Sequence, residues 1–512
     1  MNRAALAAAC AALALLTFFQ FPGHTWLQQD TQIYAPILEH QRDFSVLRND
    51  LLVQQSHVAF TLYDETARWL RALTGAGFEY VLGFEQIVTR ALGIWGLYLM
   101  ATAIGLRMGP ALAVAAIASL GAAVAGPQVL TLEYEPTPRA FAIPLLVCGI
   151  GLAAHRRFLE AGIAGAAAFL YHPPTTLPYW PVLLLAARGQ RVRAFAPFAA
   201  ATAVLLLAAY GQGEDHGFFR QLSVDEERLQ RLRAAYVWVS AWPWSVIVRH
   251  LVFAGIAAAA YARLRGKIPP ALRWFVLGLP AIGLLSLPLS WLLLERLKWA
   301  VIPQIQPLRA VLFVTLSMVF LTAAAGARAR FWEAAAWFAC AYWPTVQPLD
   351  WQRVAVWAGL ALATAAAREF VWIPALAAFF AIPWLGGVVN YPRLHAPELA
   401  QLSQWARTNT PPDSVFLFPD AGHALYPGIF RAEALRAVYV DWKGGGQVNY
   451  IRGFGDEWWF RWQQTMTDGI NLPKYGALGI GYVVVRPEHR LAGPTAFESA
   501  SFVVYPVMTL PF

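Results

Sequence analysis

Charge is scarce in this chain. Of its 512 residues only 13% are Asp, Glu, Lys or Arg, against about 25% in an ordinary soluble protein, so water does not solvate most of it. Cysteine is nearly absent: Cys10, Cys148 and Cys340 each lie inside an apolar segment, which offers neither a disulfide framework nor metal-ligand spacing. No glycine-rich loop of the kind that cradles nucleotide phosphates occurs, and there is no internal repeat or low-complexity linker. A net charge of +9 raises the question of nucleic acid. The basic residues, however, fall in short clusters between apolar runs, where membrane proteins carry them on the cytoplasmic side, so no nucleic-acid partner is expected.

What is present is apolar. The composition is 58% hydrophobic with a mean hydropathy of +0.46, and a bilayer core about 30 Å thick needs about 20 apolar residues per helix. The runs are continuous and rich in Ala and Leu rather than alternating, which excludes a membrane β-barrel. They give about thirteen spans, near 4–21, 86–106, 110–127, 139–154, 158–171, 177–187, 194–210, 245–262, 274–294, 308–326, 331–346, 353–367 and 371–389. Arg3 precedes a long Ala/Leu run with no small-residue cleavage site before Gly23, which reads as an uncleaved anchor.

The charges supply a second test. Arg107, His155-Arg156-Arg157, Arg188 with Arg191 and Arg193, Arg263 with Arg265 and Lys267, Arg328 with Arg330, and Arg368 fall on alternate connections. That pattern places those connections and the amino terminus inside. It places outside the connections 22–85, 128–138, 171–176, 211–244 and 295–307, together with the tail from 390.

From about 390 the composition becomes that of a small soluble unit. Ala396–Thr408 reads as a helix stopped by Asn409-Thr410-Pro411-Pro412, and Asp456–Thr467 as another. Ser414–Phe418, Ala437–Asp441, Tyr482–Arg486 and Phe502–Tyr505 read as strands, and Gly444-Gly445-Gly446 as a flexible loop. The expected fold class is therefore an all-α polytopic membrane domain over 1–390, with a large external loop at 22–85, followed by an extracytoplasmic α/β domain over 391–512.

The unusual polar residues gather on the outer set of connections. Gly23 to Asp64 carries Asp30, Asp43, Asp50 and Asp64 with His24, His40 and His57. Other outer connections carry Glu133, Glu135 and Arg139; His172-Pro173-Pro174; and Gln304, Gln306 and Arg309. Trp238, Trp242 and Trp244 have the look of an aromatic interfacial belt.

In Trp26-Leu27-Gln28-Gln29-Asp30-Thr31, the amphipathic stretch Tyr34–Leu52 and the external tail, the chain resembles the GT-C superfamily of integral membrane glycosyltransferases. Those enzymes use sugars carried on polyprenyl phosphate and place an acid in the loop after the first span. Many members have two adjacent acids, whereas here Gln29 precedes Asp30. The tail, with Phe430-Arg431 and Val440-Asp441-Trp442-Lys443, is similar to tails of uncharacterised bacterial proteins of this type. The resemblance implies a bacterial inner-membrane enzyme that moves a sugar from a polyprenyl-phosphate donor to an extracytoplasmic glycan, lipid or protein. It also implies Asp30 as the base, or as a ligand of a divalent metal. The rival class is a non-enzymatic flippase, transporter or assembly partner on the same scaffold, which would carry polar groups near mid-membrane and detectable repeats.

Each candidate also has a plain structural reading. Asp30 is placed to cap a helix beginning at Thr31; Asp43 and Asp50 read as solvated residues or caps; Asp64 and Glu65 with Arg68 suit a helical ion pair. Arg139 and Arg309, at outer ends of spans, suit a lipid phosphate because a guanidinium binds it bidentately. Arg139 can equally pair with Glu133 or Glu135, and both arginines can snorkel. His172 and Gln306 are candidates at the chamber mouth and His57 for phosphate or metal; the helix-stopping Pro173-Pro174 is the simpler account of His172. Trp442 and Trp458-Trp459 suit either sugar stacking or a core.

Overall fold

The computed structural model describes residues 3–20, 26–54, 61–210, 220–346, 350–384, 394–450, 453–466 and 469–507. The chain is mainly helical, and each of the thirteen apolar runs overlaps a helix, that near 110–127 only as far as Ala118. Among the described residues four helices are long and apolar enough to cross a membrane by length and composition: Arg191–Ala209, Trp244–Leu264, Pro270–Arg296 and Ile302–Gly326. Arg3–Phe18, Met108–Ala118, Pro138–Ala154, Phe158–Tyr171 and Trp372–Trp384 are apolar but shorter. Met108–Ala118 has 11 residues and so rises about 16 Å. The run that continues beyond it bends into a hairpin of β1 (Ala123–Val124) against β2 (Val129–Leu130), which the sequence reading does not anticipate.

Glycines let two central helices touch. A Cβ on Gly93 would lie 2.7 Å from the Cβ of Pro144, and one on Gly96 2.5 Å from the Cα of Cys148, so Phe78–Ala103 and Pro138–Ala154 approach backbone to backbone, as small residues permit in apolar bundles. The arginine-bearing connections are tied to one another: Arg328 donates to the carbonyl of Ile104 at 2.5 Å, Arg263 pairs with Glu333 at 2.7 Å, and Arg107 lies 3.7 Å from Glu369.

The carboxyl-terminal region forms a five-stranded sheet, ordered β4-β3-β5-β7-β6. Its strands are β3 (Val415–Leu417), β4 (Ala437–Val438), β5 (Tyr482–Val485), β6 (Phe497–Glu498) and β7 (Val503–Pro506). Strand β3 pairs in parallel with β4 and β5, and β7 pairs antiparallel with β5 and β6. Helices Pro397–Asn409 and Phe454–Met466 lie close to their expected positions.

The connection after the first helix does not extend into solvent. Helix Thr31–Arg42 is amphipathic twice over. Leu38 packs with Tyr63, Phe78 and Phe141 of the bundle. Ile33 and Ile37, with Leu47, Leu51 and Leu52, pack on Leu417, Val440 and Trp458. Ala35 joins Phe416, Phe418 and Phe430. The helix is thus clasped between bundle and sheet.

Several expectations change accordingly. Asp50 is buried, not solvated: its Oδ2 accepts from Arg431 Nε at 2.6 Å and from the N–H of Val438 at 2.8 Å, while Arg431 Nη2 reaches Asp441 at 2.5 Å. Burial works against the Arg431 charge, but Asp441 and Asp50 outweigh it and raise its pKa. Asp64 is buried too and accepts from Gln41 Nε2 at 2.9 Å, where the sequence suggests a helical ion pair with Arg68. Gly444-Gly445-Gly446 is packed into a 3₁₀ turn, Gly444–Asn449; a Cβ on Gly444 would lie 2.7 Å from Asp441 Oδ1, and one on Gly445 would overlap the Trp458 ring. Trp238 and Trp242 are buried, leaving only Trp244 of the expected belt exposed.

Candidate active site

Four connections and the carboxyl-terminal region meet around Asp30. It occupies the N-cap position of helix Thr31–Arg42, but its side chain makes no cap hydrogen bond. It turns instead to Lys443, whose Nζ donates to Oδ1 at 2.6 Å. The Asp30 side chain is 41% open to solvent, yet the charges of Lys443, Arg139 and Arg309 all act on it. The Asp30 carboxylate is thus both reached by solvent and ringed by fixed charge. Enclosure pushes its pKa up, but the Lys443 ion pair and hydrogen bond, with the two guanidiniums behind them, prevail and hold it at about 2.

The backbone carrying Asp30 is gripped by Glu135. One carboxylate oxygen accepts from the N–H of Gln29 and from Thr31 Oγ1, and the other from the N–H of Asp30, all at 2.6 Å. Burial, then the charge of Asp30, push the Glu135 pKa up to about 7 against the bonds from Thr31 and Gln29. Asp30 and Glu135 are thereby driven apart, the exposed acid ionised and the buried one reluctant.

Glu133 holds Arg139: Arg139 Nε donates to Glu133 Oε1 at 2.6 Å, and the N–H of Leu130 donates to the same oxygen at 3.1 Å. The two terminal nitrogens of Arg139 have no hydrogen bond among the described residues. The segment bearing both glutamates is fixed by the bundle, since Arg90 Nη2 donates to the Glu133 carbonyl at 2.5 Å and Gln86 Nε2 to the Tyr134 carbonyl at 3.0 Å.

Arg309 meets His172, Nη1 to Nε2, at 3.5 Å; among the described residues it has no carboxylate at ion-pair distance. His172 is itself set by its turn, Nδ1 accepting from the N–H of Thr175 at 3.2 Å. Gln306 takes a left-handed backbone, φ 49°, and donates to Tyr450 Oη at 2.5 Å. The phenols of Tyr34 and Tyr236 complete the ring: both feel Asp30, Arg139, Arg309 and Tyr450, and burial raises the pKa of each.

The structure thus gathers Asp30, Glu133, Arg139, His172, Gln306 and Arg309, and leaves other candidates elsewhere. Asp43 closes an exposed turn on Ser45. His57 lies outside the described residues. Trp442 stacks on His423 at 3.7 Å and carries Arg233 over its ring at 3.7 Å, and Trp458 donates to the Asp441 carbonyl at 2.9 Å; protein takes up both rings. Sequence reasoning saw Lys443 only as a neighbour of Trp442 and Glu135 only as a partner for Arg139, and passed over Tyr34, Tyr236 and Tyr450. The one available signal was a lone lysine between a strand exit and three glycines.

A divalent metal does not fit this donor set. Among the described residues no three His, Cys, Asp or Glu side chains form a metal-binding group. Each of the three carboxylates is also already claimed by protein donors: Asp30 by Lys443, Glu133 by Arg139 and a backbone N–H, Glu135 by three donors.

Residues 397–465 match a family described as a domain of unknown function, DUF6798. No curated protein matches the sequence. Among solved structures, AftD, an arabinofuranosyltransferase from Mycobacteria, is 17% identical over 99% of this chain and 40% of its own, with a TM-score of 0.47. The oligosaccharyltransferase AglB from Archaeoglobus fulgidus, solved with an inhibitory peptide and a dolichol-phosphate, is 13% identical over 94% and 69%, with a TM-score of 0.42. ArnT from Cupriavidus metallidurans, in the apo state, is 15% identical over 98% of this chain and 97% of its own, with a TM-score of 0.51. At that identity the likeness to ArnT establishes the fold alone, and the fold is the GT-C fold that the sequence resembles.

Proposed function

We propose that this chain is a membrane glycosyltransferase that moves a sugar from a polyprenyl-phosphate donor to an extracytoplasmic acceptor: a glycan, a lipid or a protein. The observation that carries the reading is the open face of Asp30, a carboxylate reached by water and ringed by Lys443, Arg139 and Arg309. An ionised acid beside several cations suits transfer from a phosphate leaving group. The acceptor hydroxyl oxygen bonds to the anomeric carbon while the bond from that carbon to the phosphate oxygen breaks. The leaving lipid phosphate keeps the electron pair and the hydroxyl proton passes to Asp30. Arg139 and Arg309 meet the charge growing on the phosphate, Glu133 and His172 hold those guanidiniums in place, and Gln306 with Tyr450 shapes the wall.

The same reading takes residues 1–390 as a bundle of about thirteen spans with a cytoplasmic amino terminus in a bacterial inner membrane, and residues 391–512 as an extracytoplasmic domain. The test is Asp30→Asn in the purified chain, offered a panel of polyprenyl-phosphate sugars. Folding is retained and transfer falls by about 10²- to 10⁴-fold, the range for loss of a general base. Full transfer by that variant removes Asp30 from the chemistry.

A further inference from the structure

We infer that Lys443 is a phosphate-binding residue contributed to the chamber by the carboxyl-terminal region, and that it rests on Asp30 until the donor phosphate takes it. The inference rests on the glycosyl-transfer reading and adds to it a part for the sheet-bearing region. Lys443 Nζ is 2.6 Å from Asp30 Oδ1, and Asp30 is its one hydrogen-bond partner among the described residues. The ammonium sits on one of the two carboxylate oxygens, so it weakens Asp30 as a proton acceptor while leaving its other face open. Asp30 therefore becomes the stronger base when that ammonium goes elsewhere.

The chamber supplies a destination. Arg309 has no carboxylate at ion-pair distance among the described residues, and Arg139 is engaged through Nε alone. A phosphate drawn to those two guanidiniums competes with Asp30 for the third cation, and a phosphate oxygen is an equal or better acceptor for an ammonium.

The lysine has a fixed root and a free end. Its neighbour Trp442 is pinned by Arg233 and His423, and the Gly444 N–H donates to Asp441 at 3.1 Å. Asp441 is locked in turn by Arg431. The backbone stays where it is, and the four-carbon stem, with three rotatable donors at its tip, does the moving. Donor binding and release of the base become one event. Without donor the carboxylate is paired; with donor it is unpaired.

The experiment is equilibrium binding of undecaprenyl phosphate to the full chain in lipid nanodiscs, in EDTA, with unfolding temperatures recorded for every variant. Lys443→Gln weakens binding by about tenfold to a hundredfold, the worth of one charge-assisted hydrogen bond, and Lys443→Arg restores it to within a few-fold. Asp30→Asn removes the competitor and tightens binding severalfold. Unchanged binding in Lys443→Gln, weaker binding in Asp30→Asn, or no saturable binding by the wild-type chain overturns the inference. These readouts need no turnover. Full transfer by Asp30→Asn alongside lost binding in Lys443→Gln removes the general base and leaves the lysine. The reverse pattern removes the lysine and leaves the base.

Discussion

Glu135→Gln isolates one grip. Glutamine has the same shape, so packing is preserved while one carboxylate oxygen becomes an NH₂ and the charge is lost. In the native chain three donors converge on that carboxylate, each at 2.6 Å, and hydrogen bonds to a charged group are worth about 1.5–3 kcal/mol each. The amide keeps at most two, of neutral strength near 1 kcal/mol, and turns a donor toward a backbone N–H. At pH 7.5 the native carboxylate, its pKa near 7 net of these bonds, is mostly ionised and keeps all three. The loss of one grip is a local loosening of about 2 kcal/mol. At 1.4 kcal/mol per decade the amides of Gln29 and Asp30 exchange hydrogen about thirtyfold faster at pH 7.5, while the unfolding temperature of the whole chain changes little. Peptide-resolved hydrogen exchange reads this directly. A change below threefold at those two amides would refute the claim that Glu135 fixes the Asp30 backbone.

Arg431→Met leaves Asp50 and Asp441 buried without their shared cation. Breaking such a group by removing one member is destabilising by about 3–5 kcal/mol, read as a fall in unfolding temperature, and Asp50→Asn should fall less. Asp64 gives a pH signature. Burial raises its pKa from 3.8 to about 7, with the Gln41 hydrogen bond opposing. The folded chain therefore holds a proton that the unfolded chain releases between about pH 4 and 7, and the associated stability is lost as pH rises through that window. The ceiling is about 4 kcal/mol at 1.36 kcal/mol per unit. Asp64→Asn flattens the profile and is the more stable form at pH 8; an unchanged profile removes Asp64 as its source.

The helices were legible because an apolar run is a one-dimensional signal, continuous along the chain and read without knowing any partner. The convergence of Asp30, Arg139 and Arg309 was legible for a related reason: charged residues are so few that those on one set of connections have few other places to go. What failed were pairs made across long separations. Lys443 and Asp30 are 413 residues apart and Arg431 and Asp50 381 apart, and no periodicity or spacing encodes either. Asp50 looked solvated because Asp in a polar stretch usually is; only the sheet packed over the loop makes it a core residue. The three glycines misled in the same way. Flexibility is the commoner use of such a run, but here absent side chains make room for Trp458 and Asp441.

The clasped helix at Thr31–Arg42 sets a timetable for biogenesis. Its apolar contacts Ile33 and Ile37 leave the ribosome early, while their companions Leu417 and Val440 are still uncoded peptide. At about 5–20 residues per second, the 381 positions from Asp50 to Arg431 mean a wait of roughly 20 to 80 s. Throughout that interval the nascent segment shows a greasy flank and an unmated carboxylate to whatever surrounds it, so the Asp30 cluster is completed only after the carboxyl-terminal region has been made.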